Sequence, residues 1–190
     1  MKHNIVLYST TALFLIGCSA KSNFYQLKPK AHSTYTQNST IKKENILAIA
    51  NVKIAPYLDK PQVITRINDT QIQLNELDRW AGDIDKNIQQ VLTKNLSAKL
   101  PRYSVLSKPL QEPINERYTL YVSIDRFDGD NNGHIVLNGH WSLTDTKNQT
   151  FIKGKKFSYT KEITTPQLIS IINAQSQLLD TLSDDISKNI

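Results

Sequence analysis

Cysteine occurs once in the 190 residues, at position 18, so the chain carries one sulfur nucleophile and cannot form an internal disulfide. A lone thiol can be alkylated, ligate a metal, or attack a carbonyl when a base activates it. No Gly-x-Ser-x-Gly elbow, His-Glu-x-x-His helix or glycine-rich phosphate loop accompanies it. His134 and His140 share the parity opposite to Ile135, Leu137 and Trp141, but six strand residues span roughly 20 Å, too far for one metal. The run Asp128 to Gly133 has a calcium-like composition without the terminal Glu of an EF-hand, and reads as a hairpin turn. These residues predict no enzyme, no metal and no cofactor. What remains is recognition chemistry. Tyr57, Asp59, Pro61 and Gln62 lead into Arg66, and Arg79-Trp80 follows. Pro and Asp commonly just set turn geometry, whereas Trp and Arg are enriched at binding hot spots. Arg66, Arg79 and Asp59 are expected to form an ion-pair network over a packed Trp80, with the same corner offering a partner surface.

The thiol's own context is informative. Met1 to Asn4 is polar and carries Lys2, residues 5–16 are apolar apart from Ser9, Thr10 and Thr11, and Gly17 precedes Cys18. About a dozen apolar residues are too few to span a bilayer as a helix and fit the core of a secretory signal. Leu15-Ile16-Gly17-Cys18 resembles the bacterial lipobox, which implies cleavage before Cys18 and a diacylglycerol on its sulfur, the only prosthetic group expected. Each buried methylene contributes about 0.8 kcal/mol, and two or three chains anchor stably where one does not. The alternative is an ordinary signal peptide with an incidental Cys18. By the same resemblance Ser19, rather than Asp, after the cysteine implies the periplasmic face of the outer membrane, with the inner membrane as the alternative. The formal charge of +6 suits a soluble surface or a modest preference for anionic headgroups; nucleic acid is not an expected partner.

Positioning those residues requires a domain over 18–190, after a signal peptide over 1–17. Phe24 to Leu27 predicts a short strand, 28–45 a polar loop, and Ile46 to Ile54 a strand buried on both faces. Gln62 to Arg66 and Thr70 to Leu74 read as a hairpin turned by Asn68-Asp69. From Trp80 to Leu100 the period becomes 3.6, with Trp80, Ile84, Ile88, Val91, Leu92, Leu96 and Leu100 on one face and Pro101 as the stop. Tyr103 to Leu106, Tyr118 to Ile124, Ile135 to Leu143 and Phe151 to Tyr159 are further strands, the last three a meander with a bulge at Gly154. Thr165-Pro166 predicts the cap and first position of a closing helix with Leu168, Ile169, Ile172, Leu179, Leu182 and Ile186 inward. The expected class is α+β: one domain, a mixed and mostly antiparallel sheet, and two long amphipathic helices packed on one face.

Three segments together resemble one family. Pro56-Tyr57-Leu58-Asp59-Lys60-Pro61-Gln62-Val63-Ile64-Thr65-Arg66, Arg79-Trp80-Ala81, and Phe24-Tyr25-x-Leu27 soon after Cys18 are similar to signatures of the ABC-type transport auxiliary lipoproteins, the PqiC-like family. The chain departs from them in having Lys60 for Arg, which keeps charge but loses the bidentate fork, and Gly82-Asp83-Ile84 after Arg-Trp-Ala. The resemblance implies an outer-membrane-anchored docking or assembly component of an intermembrane lipid transport system, with an MCE-domain periplasmic protein and an inner-membrane permease as partners, and no catalytic step. A tunnel-forming partner further motivates a homo-oligomeric ring. The competing reading is a self-contained lipid-binding carrier, which needs an apolar cavity of several hundred Å³.

Overall fold

A computed structural model describes residues 21–30, 45–110 and 115–190; Cys18, with its lipobox and Ser19, lies outside the described residues. Among the described residues nine strands run β1 Asn23–Tyr25, β2 Ile46–Ile49, β3 Lys53–Ile54, β4 Gln62–Arg66, β5 Ile72–Trp80, β6 Ser104–Ser107, β7 Tyr118–Asp130, β8 His134–Asp145 and β9 Thr150–Glu162. The helices are α1 Ile84–Lys99, after β5, and α2 Leu168–Ser187, which closes the chain.

The β7–β8–β9 meander is the frame. Its antiparallel ladders and the β4–β5 hairpin are the long pairings of the sheet. Short parallel ladders join β2, β3 and β4 in turn along the other edge of β7, β6 to β2, and β1 to β5. The sheet is therefore mixed, and the α+β class holds. Ile135, Leu137, Trp141 and Leu143 of β8 are buried while their alternates are not, so one face of the meander is dry. Both helices supply apolar stripes to one continuous core, α1 through Ile84, Ile88, Val91, Leu92 and Leu96, and α2 through Ile171, Ile172, Leu178, Leu179, Leu182 and Ile186.

Several boundaries differ from the sequence expectation, each for a visible reason. The apolar run 46–54 is two strands, because β2 to β3 advances four residues from Ile49 to Lys53 while β7 advances three, from Leu120 to Ser123. At the break, the buried Gln89 side-chain amide donates 2.9 Å bonds to the carbonyls of Ile49 and Lys108. The second hairpin strand continues past Leu74 to Trp80, because β1 pairs with its last three residues. Trp80 therefore ends a strand and does not open a helix: its amide donates to the Pro61 carbonyl at 2.8 Å, and α1 starts after Asp83. The α2 cap is Gln167, two residues beyond Thr165, since the Gln167 carbonyl accepts the amides of Ser170 and Ile171. Ile169 faces solvent instead of the core. The β9 bulge falls at Ile152, between the Leu143–Lys153 and Thr144–Phe151 pairs, rather than at Gly154.

A bulge in β7 has the largest effect on the site. Ile124 pairs with Gly139 and Arg126 with Asn138, so Asp125 is the extra residue. Before it Leu120, Val122 and Ile124 point inward; after it Phe127 and Gly129 do, and a Cβ on Gly129 would meet Ile171 of α2. Asp128 consequently faces away from the helices. Gly139 is required opposite the bulge, where a Cβ would lie 2.0 Å from the Ser123 carbonyl oxygen.

Candidate functional site

The corner where the β3–β4 turn meets the end of β5 contains nearly all the motif residues. Ala55 is tied to β7 by its amide on the Ile124 carbonyl, and Leu58 and Lys60 donate to the carbonyls of Ala55 and Leu58. These bonds fold 55–60 into a compact turn that points Leu58 into the core.

Tyr57 reaches across to β7, donating its hydroxyl to Asp128 Oδ2 at 2.8 Å. Arg66 meets the same carboxylate bidentately, Nε to Oδ1 at 3.0 Å and Nη2 to Oδ2 at 2.8 Å. Arg126 Nε donates to Oδ1 at 2.9 Å. The Arg66 guanidinium also lies 5.8 Å from the Tyr57 ring centroid, and its Nη1 donates to the Asp69 carbonyl at 3.2 Å, fixing the hairpin turn. Burial alone would push the Asp128 carboxyl up; the bonds from Arg66, Tyr57 and Arg126 outweigh it and hold the group below the usual carboxylate range. Burial and the neighbouring Asp128 charge push the Tyr57 phenol up to about 12. Arg66 is held protonated above its ordinary range by its bonds to Asp128. At neutral pH two guanidinium cations and one phenol hydroxyl share a single buried carboxylate.

Beneath it lies a small apolar crevice lined by Leu58, Ile64, Trp80, Ile88, Phe127 and Gln175, among others, with about 10 Å³ of free space. That is room for one water at most. The larger hollow, about 470 Å³, sits elsewhere, between Asn45, Lys99, Arg102, Tyr103 and Ser187. Its lining is largely polar and unsuited to an acyl chain.

The expected ion-pair network of Arg66, Arg79 and Asp59 is not formed among the described residues; Arg66 belongs to a different one. Arg66 pairs with Asp128, not Asp59. Asp59 is exposed at the turn, and Arg79 makes no ion pair among the described residues. Pro61 is exposed, and Gln62 donates to Glu76 at 3.0 Å on the surface. Trp80 is packed under the corner as expected, though from a strand. The residues that sequence reading missed are Asp128 and Arg126, assigned to a turn and to nothing. Only Asn131 to Gly133 turns; there Asp130 Oδ1 accepts the amides of Asn132 and His134. The available signal was an unpaired Arg66 and an Asp two residues beyond another Arg.

A sequence profile of the ABC-type transport auxiliary lipoprotein component matches residues 25–187. The chain belongs to that family. Among curated relatives of this auxiliary lipoprotein, the intermembrane transport lipoprotein PqiC of Escherichia coli K12 is 31% identical over 140 residues, 72% of each chain, and that of Shigella flexneri matches equally. The fold recurs in the crystal structure of an uncharacterized protein (TM-score 0.73, 21% identity, 90% of this chain and 99% of that one). It recurs also in XCC0632 from Xanthomonas campestris (TM-score 0.67, 14% identity, 86% and 92%). No helix among the described residues of the auxiliary lipoprotein is long and apolar enough to cross a membrane.

Proposed function

We propose that this lipoprotein stands on the periplasmic face of the outer membrane, anchored through lipid on Cys18, and acts as the docking component of an MCE-type intermembrane lipid transport system. The observation that carries this reading is the division of labour within the motif. Tyr57, Arg66 and Trp80 are spent internally, on Asp128 and on the core, and they hold in place a neighbouring turn that is exposed from Asp59 to Pro61 and runs into the half-buried Gln62. A pre-organised exposed turn is what an interface uses to lower its ordering cost. The family membership and the similarity to PqiC support placing that interface in intermembrane transport.

The carrier reading is the weaker one: the apolar crevice of about 10 Å³ falls far short of the several hundred Å³ a lipid chain would fill. The ring of copies expected from a tunnel-forming partner belongs to the same proposal. β9 is paired on one side only among the described residues, leaving a strand edge on which copies could meet.

The test is photo-crosslinking in the cell from a benzophenone amino acid at Asp59 or Gln62. The reading predicts an adduct with the MCE-domain protein. Adducts formed at Phe151, at the opposite edge of the sheet, but never at the turn would refute it.

A further inference from the structure

Four of the eight large apolar side chains exposed among the described residues, Phe24, Ile67, Leu74 and Leu77, lie on β1 and the β4–β5 hairpin. Two of them, Phe24 and Leu77, lie near the β1–β5 ladder, six residues and more after Cys18 in sequence. β1 is fixed to β5 in parallel register, Phe24 beside Arg79 and Tyr25 beside Trp80. The Ala81 amide donates to the Tyr25 carbonyl at 2.9 Å, and both Asn23 and Tyr25 donate side-chain bonds to Asp78 Oδ1, at 2.9 and 3.0 Å. Phe24 and Arg79 are register partners and so share the face opposite Asn23, Tyr25 and Asp78, while Leu77 lies two residues before Arg79, in the stretch Glu76 to Asp78 that bulges out of the β4 ladder. Phe24 is 65% exposed and Leu77 45%. Arg79, the register partner of Phe24, has no carboxylate partner among the described residues, and its Nε is buried without an acceptor there.

We infer that Phe24 and Leu77, with Arg79 beside Phe24, are a second, non-covalent contact with the phospholipid surface that holds the anchor. The occupant follows from chain length. Cys18 precedes Phe24 by six residues, so the two lie within about 20 Å whatever path the chain takes. An apolar pair at that distance from an inserted diacylglycerol reaches the interface that amphipathic surfaces use, with aromatic and aliphatic groups entering at headgroup depth and a cation meeting phosphate. One lipid tether leaves the domain free to swivel. A second contact removes that freedom and sets which way the neighbouring Asp59 to Gln62 turn points. The inference rests on Cys18 being lipidated.

Acylation of Cys18 leaves an introduced cysteine as the one free thiol of the chain. The lipidated full-length protein, carrying Phe24→Cys, Leu77→Cys or Phe151→Cys with a nitroxide on the new thiol, is reconstituted into phosphatidylethanolamine–phosphatidylglycerol vesicles. Phe151 is the matched control: it is 68% exposed and lies on β9, across the sheet from β1. The expected result is that membrane-soluble oxygen relaxes the labels at 24 and 77 more than a water-soluble nickel chelate does, with the order reversed at 151. Chelate-dominated relaxation at 24 and 77 in protein that floats with the vesicles overturns the contact and leaves the anchor intact. Protein that fails to float overturns the anchor reading, and this inference with it. Thermal melting of each labelled protein shows that the fold is retained.

Discussion

Arg66 on β4 and Asp128 on β7 share two near-parallel hydrogen bonds, of 3.0 and 2.8 Å, across 62 residues of sequence. Asp128 is fully buried and the Arg66 side chain nearly so. The pair locks the motif hairpin to the central strand, and the exposed turn inherits its rigidity.

Removing one partner strands the other. Arg66→Ala leaves a buried carboxylate served by Tyr57 and Arg126 alone, and is expected to destabilise the domain by about 3 kcal/mol. Asp128→Asn is expected to cost a similar amount, since two guanidinium groups then face a neutral amide. Denaturant unfolding of both variants checks this; a loss below about 1 kcal/mol in each would show the pair to be dispensable.

The acid side of the stability profile follows from the same carboxylate. Because the folded-state pKa of Asp128 is depressed, its stabilising contribution is complete above the unfolded value of about 3.9 and is lost as pH falls through the folded value. In Arg66→Ala the folded carboxyl is less depressed, so the stability lost to acid through this group should be smaller. At the alkaline end Tyr57 has the opposite sense. Its pKa is raised to about 12, so its contribution is complete below the unfolded value of about 10 and disappears as pH rises from there through about 12. Melting temperature against pH for wild type, Arg66→Ala and Tyr57→Phe separates the two limbs.

Gly139 answers the bulge at Asp125. A methyl group there would sit 2.0 Å from the Ser123 carbonyl oxygen, a backbone atom held in the ladder. Gly139→Ala should therefore destabilise by about 1–3 kcal/mol, and Gly82→Ala, where nothing lies within 4 Å, should not. Thermal melts of the two variants side by side make the comparison.

Much of this architecture is legible in residue order. Gln62 to Arg66 reads as a short strand and is one, and the period-3.6 stripe from Ile84 to Leu96 is the buried face of α1. Trp80 misleads because it stands four residues before Ile84 and so continues the helical period, while its amide is already committed to Pro61. Periodicity registers side-chain types and is blind to which backbone groups are spent. Asp128 was harder still. Strict alternation from Leu120 would aim it at the core, and only the extra residue at Asp125 turns it outward to Arg66. A bulge changes the parity of everything after it without any composition to announce it. For the same reason Asp59, within the same motif as Arg66, reads as a better partner for it than an Asp on a distant strand.

Capture of a partner by the exposed turn is the most direct measurement. Asp59→Arg changes an exposed position and Gln62→Ala a half-buried one whose amide bonds Glu76 at the surface, and both should leave stability within about 1 kcal/mol of wild type. The lipidated wild-type protein, purified from crosslinked envelopes, is predicted to bring down an MCE-domain protein, and both variants to lose most of it while melting normally. Undiminished capture by Asp59→Arg and Gln62→Ala would contradict the assignment of this corner as the docking surface.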